Sequence, residues 1–310
     1  MSGPATGSPS EPVRWSVMIP AYNAAAHIAD TIASVLDQLD DAGSIEVVVV
    51  DDASTDATVA VAAAAGGTSV EIRRNSENLG AIATFNRCLR GARGELVHIL
   101  HADDRVRPGF YSAMGRAYDS SDRLGQPLSL AFCQAAYIDT EGQFLHATRA
   151  ERDGSGIWET AVETLGVSNR VRPPGVVVRR ATYAAVGDFR TDLPHAADWE
   201  MWMRLATAGP VWFENQILAE YRVHDGQDTA ARVQTGDNLR ERIRCVPVIA
   251  ALAPASMRRS ITARSFGYSS LFGARTAARL LRAGMWGPAS VQVGLAGRSA
   301  RLALGAVVGR

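Results

Sequence analysis

Asp103 and Asp104 end the segment Leu100-His101-Ala102-Asp103-Asp104, directly after the apolar run Glu95-Leu96-Val97-His98-Ile99-Leu100. Two adjacent carboxylates where a buried strand opens into a loop can hold a hard divalent cation, and that cation can hold a diphosphate. A solvated turn, which Asp also favours, is the alternative. Asp51-Asp52 follows a second apolar run and offers acceptors for a base N–H or a ribose hydroxyl. Pro20-Ala21-Tyr22-Asn23 offers a backbone edge and an aromatic wall. Asn78-Leu79-Gly80 reads as a turn in which Gly80 lets backbone approach a ligand, although a turn needs Gly in any case. His224, in Tyr221-Arg222-Val223-His224-Asp225, could complete a metal site through an imidazole nitrogen. Asp198, in His195-Ala196-Ala197-Asp198-Trp199-Glu200-Met201-Trp202, is an acid in the first turn of an expected helix with Trp199 and Trp202 beside it. A carboxylate between aromatic walls suits a sugar cleft, whereas an acid there can also merely complement the helix dipole. Glu200 and Arg204 form an i,i+4 pair on another face.

The elements that must carry these groups alternate. Trp15–Pro20, Ile45–Val50, Ser69–Arg73 and Glu95–Leu100 read as strands. Ile28, Ile32, Val35, Leu36 and Leu39, an Ala-rich stretch after Ser54-Thr55-Asp56, and Ile82, Phe85 and Leu89 mark helices between them. The order predicts a mostly parallel sheet with helices on both sides, whose ligands bind beyond the carboxyl ends of the strands. Pro20–Asn23, Asp51-Asp52 and Asp103-Asp104 all fall at such ends. The later half is mixed, with short strands at Leu128–Cys133, Val176–Arg179 and Val211–Phe213 and a helix over Ala196–Ala208. From residue 232 the pattern is helical.

The chain has 310 residues, 47% of them hydrophobic, enough for a sizeable core. Its formal charge is zero, but residues 232–310 hold 13 Arg against Asp237 and Glu241 alone, so a basic C-terminal region follows an acidic body. Every cation is Arg. The cysteines Cys88, Cys133 and Cys245 are far apart, which signals neither a zinc site nor a disulfide framework and fits a reducing compartment. Residues 1–13 read as a flexible tail without signal-peptide features. No apolar stretch approaches the ~20 residues that cross a bilayer. Arg275, Arg279 and Arg282 share a helical face, with Leu280, Leu281 and Met285 elsewhere on that helix and Phe272 and Trp286 adding interfacial character. That pattern suits an anionic membrane surface; docking on the acidic body or on a second subunit, as in a homodimer, is the alternative.

The ordered set PAYN, VVVVDDASTD, ENLG, GELVHILHADD, ADWEMWMRL and YRVHDGQ resembles the large inverting, family 2-like group of GT-A glycosyltransferases, over residues 14–229. The resemblance implies an α/β GT-A fold, Rossmann-like with a mostly parallel central sheet. It also implies a glycosyltransferase domain over 14–231, a nucleotide-binding half at 14–115, an acceptor half at 116–231, and a helical Arg-rich region at 232–310. By position, Pro20, Ala21, Tyr22 and Asn23 would line the base pocket, with Asn78 and Gly80 nearby, and Asp51 and Asp52 would meet the base. His101, Ala102 and Asp103 would border the nucleotide sugar, with Asp103 touching ribose or metal. Asp104 would bind Mn2+ or Mg2+, His224 would add a later metal or diphosphate contact, and Asp198 would be the catalytic base.

The function this implies is metal-dependent, inverting transfer of one sugar from a nucleotide-diphosphate sugar to a hydroxyl on a glycan or lipid-linked acceptor. Cell-surface glycan synthesis, in the cytoplasm or on the inner membrane face, is the setting. His101 and Ala197 stand where the family usually has acids. The first departure would weaken or alter metal preference, and the second removes a support for acceptor or base. They leave room for a nucleotide-sugar-binding or scaffold protein that has lost catalysis. The QxxRW motif of processive synthases is missing, which favours single-sugar transfer. A nicotinamide oxidoreductase is disfavoured because the first turn lacks GxGxxG. No GxxxxGK[ST] supports phosphate-loop chemistry, and no recognition motif supports nucleic-acid binding.

Overall fold

Val47 to Val50 form an unbroken apolar run, and such a run suits a strand covered on both faces. In the computed structural model, which describes residues 13–39, 44–223 and 228–308, it becomes part of β2 (Ile45–Asp51). Parallel to it lie β1 (Trp15–Ala21) and β3 (Val70–Arg74), and β1 also pairs in parallel with β4 (Leu96–Ile99). The crossovers are α1 (Ile28–Leu36), α2 (Thr58–Gly66) and α3 (Ala81–Gly91). Val48 and Val50 face one core cluster while Val47 and Val49 face the other, as the period of two requires.

The next elements are β5 (Arg105–Val106), α4 (Phe110–Arg123), β6 (Leu130–Ile138), β7 (Phe144–Ala147), β8 (Gly156–Ile157), α5 (Ala161–Val167), β9 (Val176–Arg179), α6 (Arg180–Val186), α7 (Ala197–Ala208) and β10 (Val211–Arg222). The sheet runs β3-β2-β1-β4-β9-β6-β10-β5, with β7 on β6 and β8 on β10. The expectation of a mostly parallel sheet holds for β1 to β4 and for β6 with β10. β9, by contrast, runs antiparallel to both β4 and β6, and β5, β7 and β8 are antiparallel too. β10 far outruns the expected Val211–Phe213. Register shifts at Glu214/Ile217 and Ile217/Ala219 interrupt its alternation, and the buried Glu214 accepts from the Ser155 hydroxyl at 2.6 Å.

Among the described residues four helices follow: α8 (Asp228–Thr235), α9 (Asp237–Leu252), α10 (Ala255–Arg282) and α11 (Trp286–Val308). They are joined to the body. Cys245, Ile249 and Ile261 share one apolar cluster with Trp199, Trp202 and Leu205 of α7. Among the described residues no helix is long and apolar enough to cross a membrane.

Candidate active site

Thr31 on α1 fixes the loop after β4. Its hydroxyl reaches the carbonyls of Ala102 and Asp104 at 2.9 and 2.8 Å. From the other side the end of β10 arrives, where the Arg222 N–H donates to Asp104 Oδ1 (2.9 Å) and its Nε to the Asp103 carbonyl (2.8 Å). The loop so held brings a donor nitrogen of His101 and a carboxylate oxygen each of Asp103 and Asp104 within 4.8 Å of one another. Asp104 Oδ2 is buried without a hydrogen bond and lies 3.6 Å from His101 Nδ1. Burial, and then the neighbouring Asp103 charge, push the Asp104 carboxyl well above the usual carboxylate range, while burial pulls the His101 imidazole down. A buried acceptor without a partner, beside a neutral imidazole and a second acid, is a donor set that fits Mn2+ or Mg2+. His101, the departure expected to weaken such a site, offers a ligand atom to it. His224 lies outside the described residues.

The strand ends shape a cavity of about 160 Å³ lined by Pro20, Ala21, Tyr22, Asp52, Asn78, Gly80 and the start of α3. Tyr22 is half-exposed over it. Asp52 is buried, and its oxygens accept from Asn75 Nδ2 (2.7 Å) and from the N–H groups of Leu79 (2.9 Å) and Gly80 (2.9 Å). Asp52 therefore orders the 75–80 loop that closes the cavity. Gly80 there has φ +83, a conformation Gly adopts freely. Asn23, Asp51 and Ala102 do not line that cavity. Asn23, at φ 49, ties its loop to the next through Ser54 and Thr55. Asp51 is fully buried, caps the Ser54 N–H and pairs with Arg74 at 3.2 Å.

A larger cavity of about 500 Å³ adjoins it, with Ala81 and Phe85 common to both. Asp198, His101, His195, Arg172, Tyr137 and Tyr221 are among its walls. Asp198 accepts from Asn169 Nδ2 and from the Trp199 N–H, both at 2.7 Å. Burial raises its pKa, opposed by those two donors and by the charge of Arg172. Of the two expected aromatic walls only Trp202 lines the cavity. Trp199 is core, donating its indole N–H to Leu165 O (2.6 Å) and lying under the Arg242 guanidinium at 4.7 Å. The Glu200–Arg204 pair forms at 2.8 Å. Glu241, from α9, accepts the N–H groups of His195 (2.6 Å) and Ala196 (3.0 Å) at the entry to α7.

Arg172, Tyr137, Asn169 and Glu241 escaped the sequence reading, because each meets the site from an element whose approach no local pattern announces. The single available signal was Arg172 standing before Pro173-Pro174-Gly175, where the residue preceding proline is held extended.

Residues 16–125 match the profile of Glycosyl transferase family 2. A relative described as an uncharacterized glycosyltransferase of Rickettsia typhi is 24% identical over 69% of this chain and 65% of its own length, so the chain spans just under two thirds of it. S. aureus TarS 1–349 in complex with UDP-GlcNAc superposes with a TM-score of 0.65 at 19% identity, covering 88% of this chain and 78% of that one. The mannosyltransferase PcManGT from Pyrobaculum calidifontis, in complex with GDP-Man and Mn2+, gives 0.55 at 19% identity, covering 99% and 91%. The fold is that of the GT-A glycosyltransferases. Over residues 16–125 the chain is thus similar to the family 2 glycosyltransferases.

Proposed function

We propose that the protein transfers a single sugar from a nucleotide-diphosphate sugar to an acceptor hydroxyl, with inversion at the anomeric carbon and with help from Mn2+ or Mg2+. The observation that carries this reading is that Asp198 and His101 line one cavity, which shares walls with the Pro20–Tyr22/Asp52 cavity. A donor stretched between the two would have its base against Pro20, Ala21 and Tyr22 under the loop ordered by Asp52. Its diphosphate would lie toward His101, Asp103 and Asp104, and its sugar toward Asp198. Asn23 and Asp51 hold the loops around the base, and Asn78 and Gly80 close over it. His224 is proposed, from family position alone, as a further metal or diphosphate contact.

Asp198 is the base. Its carboxylate takes the acceptor hydroxyl proton as the oxygen bonds to the anomeric carbon and the bond to the nucleoside diphosphate breaks on the opposite face. Asn169 and the Trp199 N–H orient it, and the cavity keeps it partly desolvated, which raises its basicity. His101, Asp103 and Asp104 would hold a divalent cation, which when bound would supply Lewis-acid neutralisation of the departing diphosphate. Residues 14–115 serve the nucleotide and 116–231 the acceptor, with 232–310 supporting α7. The product belongs to cell-surface glycan or glycoconjugate synthesis. The exposed Arg264, Arg275, Arg279 and Arg282 of α10, with Leu271, Phe272 and Leu281, rest on an anionic membrane at the cytoplasmic face.

Nucleotide sugars offered with Mn2+ and simple acceptors, followed by NMR of the product, test this reading. An α-linked donor should yield a β-linked product. A retained configuration, or no nucleoside diphosphate released from any donor, would end it.

A further inference from the structure

The larger cavity contains one cation that the transfer itself does not need. Arg172 lines it, and among the described residues no carboxylate lies within ion-pair distance. Of its five guanidinium donors, Nε–H goes to the Tyr137 hydroxyl at 2.5 Å and one Nη1–H to the Val171 carbonyl at 3.2 Å, leaving Nη2 without a partner among the described residues. A partly buried guanidinium with no carboxylate in ion-pair range is costly, and the fold keeps it in place regardless. Pro173 restricts Arg172 to extended backbone, observed at φ −105 and ψ 129. Gly175 packs on β6 so closely that a Cβ would lie 3.0 Å from Cys133 Sγ and 3.2 Å from its carbonyl oxygen. The same strand carries Tyr137, whose hydroxyl accepts from Arg172 and so keeps its own proton for a ligand. Tyr221 of β10 stands edge-on to that ring at 5.4 Å and also lines the cavity.

We propose that Arg172, with the Tyr137 and Tyr221 hydroxyls, forms a subsite for an oxyanion, a carboxylate or phosphate carried by the transferred sugar or by the acceptor next to the attacked hydroxyl. This rests on the glycosyltransferase reading of the same cavity. A planar fork of N–H donors matches two oxyanion oxygens at once, and hydroxyl donors beside it complete the shell. Neutral sugar hydroxyls call for carboxylates and amides instead. Arg172 and Asp198 share the walls of this cavity, so an anion bound here would sit near the reacting oxygen, while Asp198 and Glu151 act on Arg172 by charge alone without pairing with it. The subsite therefore selects substrates by charge at the point of transfer.

Calorimetry with Mn2+ tests it in two arms. UDP and GDP are titrated first, and the tighter sets the donor series: UDP-glucose against UDP-glucuronate and UDP-galactose against UDP-galacturonate, or GDP-mannose against GDP-mannuronate. The acceptor arm, with that diphosphate present, compares glucose with glucose 6-phosphate and glycerol with glycerol 3-phosphate. In one arm the anionic partner should bind at least about tenfold tighter. Arg172→Gln should bring that ratio near one, Arg172→Lys should restore part of it, and Tyr221→Phe, which keeps the ring, should lower it severalfold. No preference in either arm, or a preference that survives Arg172→Gln, overturns the proposal. So does an equal loss of affinity for the bare diphosphate, which would put Arg172 on the diphosphate instead. Failure of the wild type to bind either diphosphate would overturn the glycosyltransferase reading and the subsite with it, whereas diphosphate binding without charge preference overturns the subsite alone.

Discussion

Asp198 illustrates how one side chain is tuned by what surrounds it. Burial raises its pKa, and the donors from Asn169 and the Trp199 N–H hold it part of the way back. A general base works only when ionised, so turnover should rise with pH through this elevated value. The acid limb of the kcat profile should therefore lie above that of an ordinary aspartate. Asn169→Ala removes a donor that lowers the pKa and should move the limb further up; a limb that stays in place or moves down would contradict the assignment. Asp52 acts differently, through a loop. Asp52→Ala removes the acceptor of the Leu79 N–H and the buried Asn75 amide and leaves the Gly80 N–H to Asn78 Oδ1 alone, and should lower both the melting temperature and nucleotide affinity. Asp52 stood out in the sequence because it follows an apolar run, and Asp198 because it opens an expected helix beside two tryptophans. Their partners did not, since Asn169 reaches Asp198, and Arg172 the cavity, from a stretch that no local pattern ties to the site.

At the scale of elements, α7 and β4 carry the consequences. Glu241 caps the entry to α7 from α9, and Glu241→Ala should destabilise by about 0.5–2 kcal/mol, the range of a lost helix cap, while lowering kcat more than donor affinity. Urea unfolding and donor titration on the same variant separate the two effects. His98 on β4 is buried between Phe110 and Tyr111, with Nε2 3.0 Å from the Pro174 carbonyl. Burial pulls its pKa down to about 3, so the unfolded chain binds the proton first. The stability His98 confers is complete above about pH 6.5 and is lost as pH falls toward 3, by up to about 1.4 kcal/mol per pH unit. His98→Leu should flatten that acid slope in denaturation curves measured from pH 7 to 4, and an unchanged slope would refute it. The parallel half of the sheet followed from its Val-rich runs. The antiparallel insertion of β9 and the full length of β10 did not, because a bulge and the Glu214-Asn215-Gln216 stretch hide the alternation that would have announced them.

Over the whole molecule, the charge asymmetry was plain in the sequence but its structural use was not. The C-terminal region shares the core of α7, so deleting residues 232–310 would expose that core as well as remove a surface. The membrane question is better put to the full chain. Arg275→Glu, Arg279→Glu and Arg282→Glu together leave the buried Leu280 and Ala277 in place and should abolish flotation with phosphatidylglycerol vesicles at low salt while sparing the fold. Flotation equal to wild type would remove the membrane from the account.

The division of labour between Asp198 and Asp104 is the claim on which the rest stands. Donor affinity in Mn2+ and single-turnover rate should be measured together for wild type, Asp198→Asn and Asp104→Asn. The account expects Asp198→Asn to lose about 10²–10⁴ in rate, the usual worth of a general base, with donor affinity within about threefold of wild type, and expects Asp104→Asn to lose donor affinity first. Equal losses of donor affinity in both variants, or an Asp198→Asn enzyme within tenfold of wild-type rate, would contradict it.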